Sequence, residues 1–140
     1  MNIYVAGLIA GLTAGVVWVI ANLLVDAAFL PVISRHTDQL NEKIMSKPSV
    51  TFLVLVLDIA FWGALFGLIY PLVYPAFKPL GALVGGLMWG FIMYISFVRG
   101  MLESILFTKV PRELNVFWFV EAMALIVWGA AFGLVFNWLI

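Results

Sequence analysis

The chain has 140 residues, of which 66% are hydrophobic and 10% charged, with seven basic residues balancing seven acidic ones and no cysteine. Soluble domains carry about 25% charged residues, so most of these side chains must face lipid or one another, and the chain reads as an integral membrane protein. Zero formal net charge gives no electrostatic case for nucleic acid, and the missing cysteines remove disulfides, thiolate metal sites and thiol nucleophiles together.

Charge and proline mark off four apolar stretches, about 3–33, 48–74, 79–107 and 114–140. Each reaches the ~20 residues needed to cross a ~30 Å hydrocarbon core. The first and third exceed it and should tilt or project. The runs are continuous rather than alternating, which excludes a β-barrel. The expected fold class is all-α: a polytopic four-helix bundle in one transmembrane domain, 1–140, with no room for a separate soluble unit.

Span one opens with Gly7, Gly11 and Gly15 at four-residue spacing and carries Asn22 and Asp26 late. No basic residue precedes its apolar run, which is too long for a signal-peptide core, so it is expected to stay in the mature protein. The following loop, 34–47, is read as a polar connection, in preference to a surface helix carrying Leu40, Ile44 and Met45. Span two has Asp58 early, then Gly63 and Gly67, and ends with Tyr70 and Tyr74 beside Pro71 and Pro75. Those tyrosines fit an interfacial belt or helix termination before proline. Span three begins with Gly81, Gly85, Gly86 and Gly90 and ends with Ser96, Arg99 and Glu103. Span four has Glu121 early and Gly129 and Gly133 late.

Two segments nearly repeat: Trp62-Gly-Ala-Leu-Phe-Gly-Leu-Ile-Tyr70 and Trp128-Gly-Ala-Ala-Phe-Gly-Leu-Val-Phe136. Together with the glycines opening spans one and three, they describe a duplicated hairpin, 1–74 and 79–140. A repeated unit with an even number of spans keeps its orientation, so the halves should be related by a pseudo-twofold axis along the membrane normal. Arg35, Lys43 and Lys47 lie in the first loop and Lys109 and Arg112 in the third, against Lys78 alone on the opposite side. Basic loops stay inside, which places loops 34–47 and 108–113 in the cytoplasm and both termini outside.

All glycines except Gly100 belong to a Gly-x-x-x-Gly pair. They cluster on the terminus side, where close backbone approach should hold helices together without help from a hydrophobic drive. The loop side collects the ionisable groups Asp26, Asp58, Arg99, Glu103 and Glu121. Intramembrane carboxylates face the bundle interior, pair, or mark an ion or proton pathway. Arg99, one helical turn from Glu103, is the obvious partner. In spans two and four the acids do not share a face with the glycines: Asp58 points well away from Gly63 and Gly67, and Glu121 is displaced by about a quarter turn from Gly129.

Enzymatic chemistry finds no support. His36 is the only histidine and lies in a loop, so no bis-histidine, Glu-x-x-His or H-E-x-x-H site can be assembled. The glycines lie inside helices rather than after a strand, so no phosphate loop exists. No catalytic, cofactor-binding or metal-ligating residue is assigned. The aromatic content of 16% looks heavy for a pore wall and suits contact with lipid or other protein.

Through Gly63-Ala-Leu-Phe-Gly-Leu-Ile-Tyr70, Gly81 to Gly90 and Gly129-Ala-Ala-Phe-Gly-Leu-Val-Phe136, the chain resembles small uncharacterised four-span prokaryotic membrane proteins with duplicated glycine-rich hairpins. That resemblance implies a fold and no reaction. The expected function is a non-enzymatic structural or accessory subunit of the cell membrane that packs through glycine and aromatic surfaces against other subunits or itself. The alternative is a small homo-oligomeric proton- or cation-linked transporter or channel using the acidic set.

Overall fold

A computed structural model describes residues 1–35, 48–107 and 112–140, except that the side chains of 48–52, 55, 99–101 and 103–107 are outside the description. Expectations for residues 36–47 and 108–111 therefore fall outside it. The described chain runs α1 (Ile3–Arg35), α2 (Pro48–Phe77), one 3-10 turn (Lys78–Leu80), α3 (Gly81–Phe107), α4 (Arg112–Ala122) and α5 (Ala124–Leu139), with no strand among the described residues. Three apolar helical stretches are long enough to cross a membrane: Ile3–Arg35, Val56–Val98 and Arg112–Leu139.

The middle stretch is bent double. Trp62 and Phe97 place their ring centroids 5.5 Å apart, and Tyr70 and Trp89 are 5.6 Å apart. Pairs that far apart in sequence meet only if α2 and α3 run antiparallel from the turn at Lys78–Leu80. Gly81 makes the reversal possible: its φ of 78° and ψ of 170° lie in a region essentially closed to residues with a Cβ. No atom lies within 4 Å of where its Cβ would be. Gly81 is thus a turn glycine rather than the packing glycine expected from its spacing.

Helix α2 does not stop before proline. It continues through Pro71 and Pro75 to Phe77, three residues past the expected end. Proline in a helix interior takes the donor from the carbonyl four residues earlier, and for Pro71 that carbonyl belongs to Gly67. In the folded chain the Gly67 oxygen lies against Gly7 instead. Tyr70 is 1% exposed, which removes it from any interfacial belt.

Backbone meets backbone along two antiparallel rows. In the first, Gly7 lies opposite Gly67, Gly11 opposite Gly63, and Gly15 opposite Ile59; in the second, Gly86 faces Gly133 and Gly129, and Gly90 faces Gly129. A methyl on Gly63 would stand 2.7 Å from the Gly11 oxygen, and one on Gly129 would stand 2.5 Å from both the Gly86 oxygen and the Gly90 Cα. Carbonyl oxygens thus occupy the space that a glycine side chain would need, so the helices approach backbone to backbone. These glycine faces are consumed within the chain. Association with other proteins through the same faces, expected from the sequence, has no free surface there.

Helix α1 lies between α2 and α5, and α5 between α1 and α3. Between α2 and α3 the backbones stay apart and rings fill the gap. Trp128, Phe132 and Phe136 are 0% exposed; successive rings in this column stack 5.1 and 5.7 Å apart, and Tyr70 meets Phe132 and Phe136 edge-on at 4.9 Å each. Much of the aromatic content therefore builds the interior instead of an outer lipid or protein surface. The expected fourth span is two helices: at Met123 the amide donates to both Phe119 O (3.3 Å) and Val120 O (3.1 Å), and Ile126 N donates to Met123 O at 2.9 Å. That tighter winding rotates α4 relative to α5.

The glycine contacts separate into two kinds with different consequences. Gly129→Ala should lower stability by about 1–3 kcal/mol, the usual cost of overpacking, because backbone must move. Gly15→Ala meets the Ile59 Cγ2 at 3.4 Å and the Ile59 oxygen at 3.9 Å, ordinary contacts, and should be neutral or stabilising by up to about 1 kcal/mol through helix propensity. Reversible unfolding in mixed micelles compares them, and equal effects would contradict the backbone contact at Gly129.

Candidate functional site

Above the Gly15 and Ile59 level, side chains come between the helices and a cavity of about 230 Å³ opens. All the long helices contribute. Trp18 and Asn22 come from α1, Asp58 and Ile59 from α2, and Phe97 from α3; Glu121 and Ala122 from α4 and Leu125 from α5 complete the wall. At ~1.5 Å per residue, Asn22, Asp58 and Glu121 lie about 14 to 20 Å from the loop ends of their helices, well inside the apolar segments.

The polar groups are unequally satisfied. Asp58 Oδ1 accepts a hydrogen bond of 3.1 Å from the Trp62 indole Nε1, one turn on in the same helix. The exposed Asp58 sits at the rim, while Glu121 is half-buried. Asn22 is only 5% exposed, and its Oδ1 has no hydrogen-bond partner. A buried acceptor left unpaired costs about 1–3 kcal/mol, so the fold retains Asn22 at a measurable penalty. Among the described side chains, no lysine, arginine or histidine lines the cavity. One turn toward the loop, Asp26 is close enough to Glu121 for their charges to repel.

These positions revise the sequence reading in one respect. Asp58, expected to point well away from Gly63 and Gly67, and Glu121, expected about a quarter turn from Gly129, both line the same cavity. Glu121 stands two residues before the tighter winding at Met123, and Asp58 is tied to Trp62 in its own helix. Asp26 lies outside the lining. The side chains of Arg99 and Glu103, expected to pair, lie outside the described residues. Ser96 returns its hydroxyl to Ile92 O in its own helix at 2.9 Å. Asn22 carried the available signal, an amide one turn before Asp26 in an apolar helix; nothing local marks Trp18, Phe97 or Leu125.

Two other hollows offer less chemistry. One of about 450 Å³ between α2 and α3 is lined by Trp62, Phe66, Ile69, Met93, Ser96 and Phe97, so the Phe97 ring partitions it from the acidic cavity. The other, about 310 Å³, lies at the loop end beside Arg35, Arg112 and Glu113. There Arg35 and Glu113 approach to 3.8 Å and both are more than half exposed, a pair of little energetic weight. No group of three or more His, Cys, Asp and Glu among the described residues can hold a metal ion.

Comparison with protein-family models, curated proteins and solved structures gives no match, so the reading of the site rests on its own geometry.

The natural chain has no cysteine, which makes single-cysteine labelling clean. Ala122→Cys, on the cavity wall, should react with a small charged thiosulfonate reagent, whereas Ala10→Cys, at a position 0% exposed, should resist it. Equal protection of both would mean that the cavity is dry and closed.

Proposed function

We propose that this chain is a non-enzymatic, four-span membrane protein that takes up a cation in its loop-side cavity, as a small cation-linked transporter. The observation that carries this reading is the convergence of Asn22, Asp58 and Glu121, from three helices, on one cavity. Ionised carboxylates at membrane depth need a compensating charge. On this reading a cargo cation supplies it. The aromatic column from Trp128 to Phe136 fills the interior on the terminus side, so the cavity is reached from the loop side and the far side is shut.

Four crossings follow if each arm of the doubled stretch spans the bilayer separately. The two glycine rows support a pseudo-twofold arrangement of hairpins, an approximate one, because α1 and α5 approach closely while α2 and α3 are held apart by rings. The basic loops would lie in the cytoplasm and the termini outside. A second reading, an accessory subunit packing on other membrane proteins, is favoured by the outer apolar surface, where Trp138 is 83% exposed.

Transport is tested in proteoliposomes under an imposed membrane potential. Uptake from a panel of inorganic and organic monocations should fall at least tenfold when Asp58→Asn and Glu121→Gln are combined. Uptake that survives both changes would remove these acids as carriers. Gentle extraction from the native membrane separates the second reading: fixed stoichiometry with a larger, unlike protein would favour it over transport, and a pure homo-oligomer would count against it. For topology, Asn2→Cys should label from outside intact cells, and Ser34→Cys only after permeabilisation.

A further inference from the structure

We propose that the loop end of the bundle holds one anionic phospholipid, its phosphate against Arg35 and Arg112 and the start of one acyl chain along Phe29, Val32 and Val116. The inference goes beyond transport: it needs the membrane placement of the helices and nothing from the deeper cavity.

The site is built where α1 and α4 pass each other in opposite directions. Phe29 and Phe117 meet with ring centroids 5.5 Å apart, and Leu114 and Phe117 are buried, so the two helices are fastened together beneath the site. Beside that contact a hollow of about 310 Å³ is lined by Phe29, Val32, Arg35, Arg112, Glu113 and Val116. Its chemistry changes with depth. Arg35 closes α1 and Arg112 opens α4; at ~1.5 Å per residue, Phe29 lies about 9 Å deeper than Arg35, and Val116 about 6 Å deeper than Arg112. The 33 residues of α1 reach about 50 Å, well beyond a ~30 Å hydrocarbon core. The arginines therefore stand at headgroup level and the carbon below them among acyl chains. Cation above and carbon below is the order that a phosphate, its glycerol and its chain require.

Charge selects the headgroup. The wall carries two arginines against one glutamate. Arg35 Nη2 and Glu113 Oε2 are 3.8 Å apart with both side chains more than half exposed, a weak pair that a phosphate can displace. Arg35 Nε donates to Pro31 O at 3.0 Å, which holds this guanidinium at the end of its helix. Guanidinium groups match phosphate oxygens in geometry as well as in charge, and basic pockets between membrane helices are where anionic headgroups settle. A zwitterionic lipid would bring a cation of its own to the arginines. A soluble phosphate would leave the apolar part of the hollow uncovered. A cavity of about 150 Å³ holds benzene, so this one has room for about twelve non-hydrogen atoms, a glycerol phosphate and the first carbons of a chain.

The test mixes the intact chain, purified and delipidated in a neutral detergent, with equal amounts of phosphatidylglycerol and phosphatidylcholine of identical chains, and counts retained lipid by native mass spectrometry. One phosphatidylglycerol per chain should be retained, at least about tenfold in preference to phosphatidylcholine. Arg112→Gln should weaken retention about fivefold, the contribution of one basic side chain at an anionic surface. Val116→Trp, which fills the apolar part and leaves both arginines, should weaken it as well. Glu113→Gln removes the competing carboxylate and should strengthen retention, a gain that a merely damaged fold does not produce. Lys78→Gln, at the other end of the helices, should change nothing. Glycerol 3-phosphate, titrated alone, should bind about a hundredfold more weakly for want of a chain. Equal retention of the two lipids, retention unchanged in Arg112→Gln, or an equal loss in Lys78→Gln would overturn the site. Weaker retention in Glu113→Gln would overturn the displacement of its pair with Arg35. Glycerol 3-phosphate bound as tightly as phosphatidylglycerol would overturn the lipid and leave a site for a soluble phosphate.

Discussion

Contact between bare backbones at the glycine pairs is the constraint on which the rest of this structure depends. Where Gly7 and Gly11 meet Gly67 and Gly63, no side chain separates the helices, and carbonyl oxygens occupy the space that a side chain would need. Lipid supplies no hydrophobic reason for helices to associate, so shape at this level has to supply it. The same closeness governs the helices beyond the glycines. As soon as Trp18 and Ile59 intervene, α1 and α2 must part, and the space between them becomes the cavity. The packed half and the hollow half are thus two consequences of one change, from glycine to larger side chains along the same faces.

The two tryptophans of the near-repeat show how similar segments acquire different duties. Trp128 is fully buried and its Nε1 donates 3.3 Å to the Gly11 carbonyl oxygen, tying α5 to the crossing point of α1 and α2. Trp62 donates to Asp58, four residues before it. Four residues before Trp128 stands Ala124, whose side chain accepts nothing, so that indole reaches to another helix. A buried indole N–H gains from a partner, and at these two positions the residue four places earlier separates an acid at the cavity from a backbone oxygen in the core. Only one of the two segments therefore brings its own carboxylate to the site.

The cavity's polarity is lopsided in a way that packing alone does not explain. Asn22 is buried with an unpaired oxygen, the neighbouring acids face no basic residue among the described side chains of the wall, and an aliphatic side chain of similar volume at position 22 would avoid the desolvation cost. Retained polarity of one sign, against aromatic and aliphatic walls, is the pattern expected where a ligand completes the electrostatics. The consumption of the glycine faces inside the chain leaves the outer apolar surface, with the exposed Trp138, for any association with other helices.

Composition alone determined that the described chain is helical and apolar enough to enter a membrane, because continuous apolar runs leave the backbone no other way to satisfy itself in hydrocarbon. Glycine spacing likewise exposed the close-packed half, since the period of a helix converts four-residue intervals into one face. Asp58 and Glu121 could be read from the sequence as members of one loop-side acidic set, but their common cavity could not, because the helical wheel of each span fixes faces within a helix and not which faces meet. The inward turn of the aromatics was equally hidden, as lipid and protein interior are alike to a ring and hydropathy does not separate them. Tyr70 beside Pro71 read as a helix end, yet the glycine contact at Gly67 carries the helix onward. Which acids share a cavity, which rings fill the core and which carbonyl meets which indole are relations between helices, and only the tertiary structure decided them.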